Sequence, residues 1–286
     1  MKILFVGVFK RSSTSYSQAI AFENIGVEVI RYDYRHRAKV KGMRGRNLEL
    51  IAIGKKNNVD AVLFAKCNRM GWGVVENCNE YAKTILWMPD TPGLMDEEFM
   101  RKLDRCGHTF CAATRAVAKG LKRQPTVSFL AEGFCLEDNM PMPEIEQDVD
   151  VSFIGNLSSF RRKKMRAAVP FTVLKAHAAA HSKAVARSKI NLNFTTGMGT
   201  SDRTYKVLAS KGFLLTEAWD DIDSYFVPGE HLAVFKGVED LKQKIAYYLE
   251  HPEERERIAE AGYKEVQKYT REAWAQAIVD KVEELQ

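Results

Sequence analysis

Lys2-Ile-Leu-Phe-Val-Gly7 is a short β-branched and aromatic run. A polar loop, Lys10-Arg-Ser-Ser-Thr-Ser15, follows it, then a helix-length stretch from Tyr16 to Ile25 closed by Gly26, then a second apolar run, Val27–Tyr32. Strand, loop, helix and strand in that order cross over and pair in parallel, so this opening commits the chain to a wound α/β sheet. The rhythm continues through Asp60–Lys66, Lys83–Met88, His108–Ala112 and Val127–Leu130, and again through Val149–Ile154, Ile190–Phe194, Phe213–Leu215 and Leu232–Phe235. A chain of 286 residues is long enough for two cores. Residues 132–149, rich in Pro and acid, read as a connector between a domain over 1–131 and a second over 150–270. The closing stretch, 271–286, sets Trp274, Ile278, Val282 and Leu285 on one helical face.

Composition excludes several classes. With 45% hydrophobic and 28% charged residues the chain is globular, and its longest apolar runs are strand-length, so a membrane span is not expected. The start has no signal-peptide layout, and five cysteines without a CxxC pair read as reduced thiols, so a cytoplasmic location is expected. The first strand lacks a following GxGxxG, which disfavours a dinucleotide cofactor. His177 and His181 stand four apart on an Ala-rich helix, an acceptable metal spacing without a third ligand, so no metal is expected there.

Several stretches carry candidate chemistry. Ser201–Glu217 opens with the N-cap types Ser201 and Asp202 and continues with Arg203 and Lys206 on one face of a helix. Asp202 is expected to cap this helix and Gly212 to end it in the left-handed conformation. Cations in a first turn oppose the helix dipole, and a bound anion would reverse that sign. Ser12 and Ser13 lie after the first strand, at the carboxyl end where open α/β sheets bind ligands. Asp90 ends the fourth strand, where a carboxylate either positions an acceptor hydroxyl as general base or makes the turn before Pro92. Arg35–Arg46 holds six Lys/Arg and no acid, and with Gly42 and Gly45 it reads as a pliable cationic loop. Asn47 is expected to cap the helix after it.

The run Arg203-x-Tyr205-x-x-Leu208-Ala209-x-x-Gly212-Phe213-Leu214-Leu215-Thr216 resembles the donor-site helix of GT-B glycosyltransferases, nearest to the spore-maturation-type group. Asp150-Val-Ser-Phe-Ile-Gly-Asn156 with Arg161, Ser188–Asn193, Tyr248–Arg255 and Trp87-x-x-Asp90-x-Pro92 are similar to stretches of the same group. The close match covers roughly residues 150–270. Where the family carries a ribose-holding Glu, this chain has Lys206, and the acidic residue often found eight positions earlier is Met198.

The resemblance implies two Rossmann-like domains facing across a cleft, the final helix crossing back to the first. It implies a nucleotide-sugar donor, UDP-glucose by default, bound around Gly155, Asn156, Arg161, Asn193, Arg203, Tyr205 and Lys206. Arg203 and Lys206 would stabilise the departing diphosphate without a metal. The first domain would take the acceptor through Ser12, Ser13, Asp90 and the cations Arg37, Lys39, Arg44 and Lys41. A polyanion, with hydroxymethylated double-stranded DNA as the leading example, is the expected acceptor. Transfer to a cell-envelope or spore glycan, or nucleotide binding without catalysis, are the other readings.

Overall fold

The computed structural model describes residues 1–90, 95–157, 165–195 and 199–285. The chain divides into two compact units, one of residues 1–132 with 271–286 and the other of residues 133–270.

The first unit is built on six parallel strands: β1 Lys2–Gly7, β2 Glu28–Asp33, β3 Ala61–Ala65, β4 Lys83–Met88, β5 His108–Cys111 and β6 Val127–Phe129. Their order is β2-β1-β3-β4-β5-β6. Alternation along each strand splits the core. Leu4, Val6, Val62, Phe64 and Leu86 pack on one side, and Ile3, Phe5, Leu63, Ile85 and Trp87 on the other. Covered on both faces, such strands must read as continuous apolar runs, which is why they were visible in the sequence. The first layer is covered by α2 Tyr34–Lys56, α3 Gly73–Asn79, α4 Glu97–Leu103 and α5 Thr114–Leu121. The second is covered by α1 Thr14–Asn24 and by the helix Arg271–Glu284, whose Trp274, Ile278 and Val282 are buried there. The chain winds from β1 to β2 on one side and then to β3 on the other. The loops leaving β1 and β3 therefore diverge, opening a crevice at their carboxyl ends.

The second unit has five parallel strands, β7 Val149–Ile154, β8 Thr172–Leu174, β9 Ser188–Asn193, β10 Leu214–Glu217 and β11 Ala233–Phe235, in the order β11-β10-β9-β7-β8. Its longer helices among the described residues are α6 Ala179–Ala186, α7 Asp202–Ala209, α8 Gly237–Glu250 and α9 Pro252–Val266, so Arg271–Glu284 is α10. The winding reverses between β7 and β9, which puts the crevice of this sheet beside Gly155 and Asn193.

Five expectations are corrected. Residues 35–46 are not a loop: α2 runs through them, kinked at Gly42, whose φ of 68° only glycine adopts cheaply. Asn47 consequently lies inside that helix instead of capping it. Residues 133–148 are not a free connector, because Phe134, Cys135 and Asn139 are buried and Ser182 Oγ donates to Asp138 O at 2.8 Å. Ser201, not Asp202, is the N-cap of α7, and Lys211 (φ 56°), not Gly212, takes the left-handed position after it. Gly212 is needed for packing instead, since a Cβ there would meet Val185 Cγ1 at 2.3 Å.

Candidate functional site

In the second unit, the strand face under α7 is polar. Ser152, Asn191, Asn193 and Thr216 alternate onto it and are fully or almost fully buried. Buried amides must be bonded. Asn193 Nδ2 donates to Thr204 Oγ1 and Thr216 Oγ1, both at 3.2 Å, which fixes its Oδ1 outward along the strand. That oxygen accepts from Arg203 Nη1 at 2.8 Å and from Ser201 Oγ at 3.2 Å. Arg203 Nε also donates to Ile154 O at 2.7 Å, and its guanidinium lies 4.4 Å from the Phe153 ring centroid. Gly155, at φ 151°, lets this happen: a Cβ there would sit 2.5 Å from Arg203 Nη2. Strand ends, a glycine and a buried amide thus hold one guanidinium rigidly at the crevice, beside the first turn of α7. Such a group binds phosphate without reorganising.

Other expected donor residues fall differently. Lys206 is half-buried and ion-paired with Asp202 one turn earlier. Both cations of α7 therefore have partners within the protein, which offset their unfavourable position in the first turn. Asn156 is exposed at the turn after β7. Tyr205 is 0% exposed, packed on Tyr269 and Phe226, so its role is in the core and not against a ligand. Asn193 is equally buried and acts through Arg203. Arg161 lies outside the described residues, as do Pro92 and Met198. His181 is buried behind α7. Burial first, then Lys206 and Arg203, push its imidazole down to about 3, so it is neutral. Among the described residues no three His, Cys, Asp or Glu side chains gather to hold a metal, and no helix is long and apolar enough to cross a membrane.

In the first unit, a cavity of about 260 Å³ fills the crevice between β1 and β3. Ser13, Thr14 and Gln18 line it from the first loop and α1, Lys66 from the end of β3, and Trp87 and Asp90 from the end of β4. Asp90 Oδ1 accepts from Lys66 Nζ at 2.7 Å. Ser13 Oγ donates to Val8 O and Lys10 O, so it shapes the loop, and Ser12 is exposed. Gln18, Lys66 and Glu132 were not singled out from sequence. Gln18, which lines the cavity, is 1% exposed, and its buried Nε2 has no partner among the described residues. The loop behind Lys66 is strained: Lys66, Cys67 and Arg69 all have positive φ, 59°, 50° and 62°. Strain of this kind costs of order 1–3 kcal/mol per residue and collects at functional sites. The buried Lys102 stabilises the loop by donating to Cys67 O at 2.8 Å.

The cationic stretch is also redistributed. Arg37 and Lys41 both pair with Glu49, one acid across the Gly42 kink, whose carboxyl they hold down to about 2, Arg37 contributing most. Lys39 and Arg44 are exposed on α2. The reading of six uncompensated cations is corrected accordingly.

Two parallel α/β units, each with a crevice at its winding switch, make a GT-B fold. Residues 147–280, just under half of the chain, match the family model described as "Glycosyl transferase-like". Sucrose-phosphate synthase from Thermosynechococcus elongatus superposes with a TM-score of 0.75 at 11% identity, over 100% of this chain and 99% of that one. HepE from Anabaena, solved in complex with UDP and glucose, gives 0.71 at 9% identity, over 99% and 100%. In sequence, spore protein CgeB of Bacillus subtilis (strain 168) is 35% identical over 69 residues. That stretch is 23% of this chain and 19% of CgeB, so the match spans about a fifth of that relative.

Proposed function

We propose that this protein transfers a hexosyl group, glucose by default, from a UDP-sugar to an acceptor hydroxyl. The observation that carries it is the Arg203 guanidinium fixed by Asn193, Ile154 and Gly155 at the switch point of the second sheet. Cleaving the glycosyl–phosphate bond leaves charge on the diphosphate. In this reading Arg203 and the backbone N–H groups at the start of α7 receive that charge, with Lys206 added once it swings from Asp202. No step calls for a metal ion, so chelation leaves turnover unchanged. HepE was solved with UDP-glucose, which supports that donor as the first to try. Asp90, in the cavity of the first unit, takes the acceptor hydroxyl's proton, while Lys66 orients its carboxylate.

One observation favours nucleotide binding without transfer: the position at which the family carries its ribose Glu is Lys206, and that Lys is paired internally. Incubation with radiolabelled UDP-glucose separates the two readings. Slow release of UDP and free sugar supports a transferase, whereas tight UDP binding with intact UDP-glucose supports a binding protein. For the acceptor, an anion-bearing hydroxyl compound is the reading retained. The pliable loop that favoured duplex DNA is a helix with two of its cations neutralised.

A further inference from the structure

The first unit holds a second cavity, of about 580 Å³, adjoining the one that contains Asp90: Tyr34 and Arg35 line both. The second cavity is lined by Arg35 and Lys39 from the first half of α2, Arg46 from beyond the kink, and Asn68 and Arg69 from the strained loop after β3. In a straight helix Arg35 and Arg46 would stand roughly 16–17 Å apart along the axis. The kink at Gly42 brings both to one cavity. Among the described residues no carboxylate lines it. Arg46 is 2% exposed, yet its Nε and Nη2 donate only to neutral oxygens, Asn47 Oδ1 at 2.9 and 2.7 Å and Arg69 O at 3.1 Å. Among the described residues it meets no acid, and Nη1 makes no hydrogen bond. A buried, uncompensated guanidinium is costly, and removing its cost requires an anion. Glu49 does not serve, since Arg37 and Lys41 already hold it.

We infer that this cavity binds a phosphoryl group, a phosphomonoester carried by the acceptor, with Arg46 and Arg69 as guanidinium donors and Lys39 and Arg35 as flanking charges. The site rests on the reading that the first unit takes the acceptor, and it names that acceptor's class: a phosphate-bearing compound whose hydroxyl reaches Asp90 in the adjoining cavity. A dianion suits four cations, and a guanidinium fork suits its oxygens. Free metabolites and lipid headgroups present the same chemistry. Exposed Val40 and Met43 on the same helix make a lipid surface a source worth separate testing.

Calorimetry on the full chain with glycerol 3-phosphate, flotation with phosphatidylcholine vesicles with and without phosphatidic acid, and gel shift with a short DNA duplex test this. Lys39→Gln and Arg69→Gln, both at exposed residues that do not threaten folding, should each weaken phosphate binding about tenfold to a hundredfold. Arg37→Gln, already paired with Glu49, should change it less than twofold. Binding of glycerol 3-phosphate alone supports a soluble acceptor, and binding only to phosphatidic acid vesicles supports a lipid one. Binding to DNA alone, or wild-type affinity in both Gln variants, overturns the site. UDP affinity, measured alongside, reports on the donor reading independently: phosphate binding without UDP binding sinks the transferase reading and leaves this site standing, and the reverse sinks only this site.

Discussion

Gly155→Ala tests the geometry of the donor half most sharply, because two costs can be separated. The new methyl would sit 2.5 Å from Arg203 Nη2 and 3.3 Å from the Phe153 ring, on a backbone at φ 151° that side chains avoid. Backbone strain acts on stability, of order 1–3 kcal/mol, which for a domain of this size lowers Tm by roughly 3–10 °C. The steric clash meets the far end of a flexible side chain, so the guanidinium can move aside. Moving it, however, breaks the bonds to Asn193 Oδ1 and Ile154 O. A hydrogen bond to a charged group is worth about 1.5–3 kcal/mol, so UDP affinity should fall about tenfold to a hundredfold. The assay is a double-mutant cycle by calorimetry with UDP. Once Arg203→Ala has removed the guanidinium, Gly155→Ala should cost no further affinity while still lowering Tm. Equal losses of affinity in both backgrounds would refute the claim that Gly155 acts by seating Arg203.

Asp90→Asn should cut transfer by ~10²–10⁴ while leaving UDP affinity within about twofold, read by turnover beside calorimetry. Equal loss of both, or a large drop in Tm, would favour a purely structural turn. Trp274→Ala should destabilise the first unit by about 3–5 kcal/mol in urea unfolding, because the ring is 2% exposed against Phe5, Phe22 and Trp87. His181 has a folded pKa of about 3, below its ordinary 6.5, so the unfolded chain binds the extra proton. Its stability contribution is complete above pH 6.5 and is lost as pH falls toward 3. His181→Gln should flatten that decline in pH-dependent urea midpoints, and an unchanged slope would count against it.

The strands were legible because parallel strands covered on both faces leave uninterrupted apolar runs, as in Ile3–Val6 and Leu63 with its neighbours. The kinked α2 was not. Its cations and two glycines imitate a loop, and Glu49, which pairs Arg37 and Lys41, lies beyond the stretch that looked acid-free. Asn193 showed its strand alternation but not that α7 covers that face, so a buried scaffold residue read like a ligand contact. Tyr205 misled for the same reason: a motif position says nothing of which way a helix turns its aromatic residue. Gln18 carried no sequence signal, and Arg46 stood out only as one of a run of cations; what marks them, an unpartnered amide and a buried guanidinium bonded to neutral oxygens, belongs to the folded environment alone.

The most direct test of the account is UDP release from radiolabelled UDP-glucose, followed over hours for the wild type and for Arg203→Ala. Slow release by the wild type, reduced ~10²–10³ in the variant with its Tm preserved, is the predicted result. Undiminished release in Arg203→Ala, or a wild-type protein that neither binds UDP in the calorimeter nor consumes the sugar nucleotide, would contradict it.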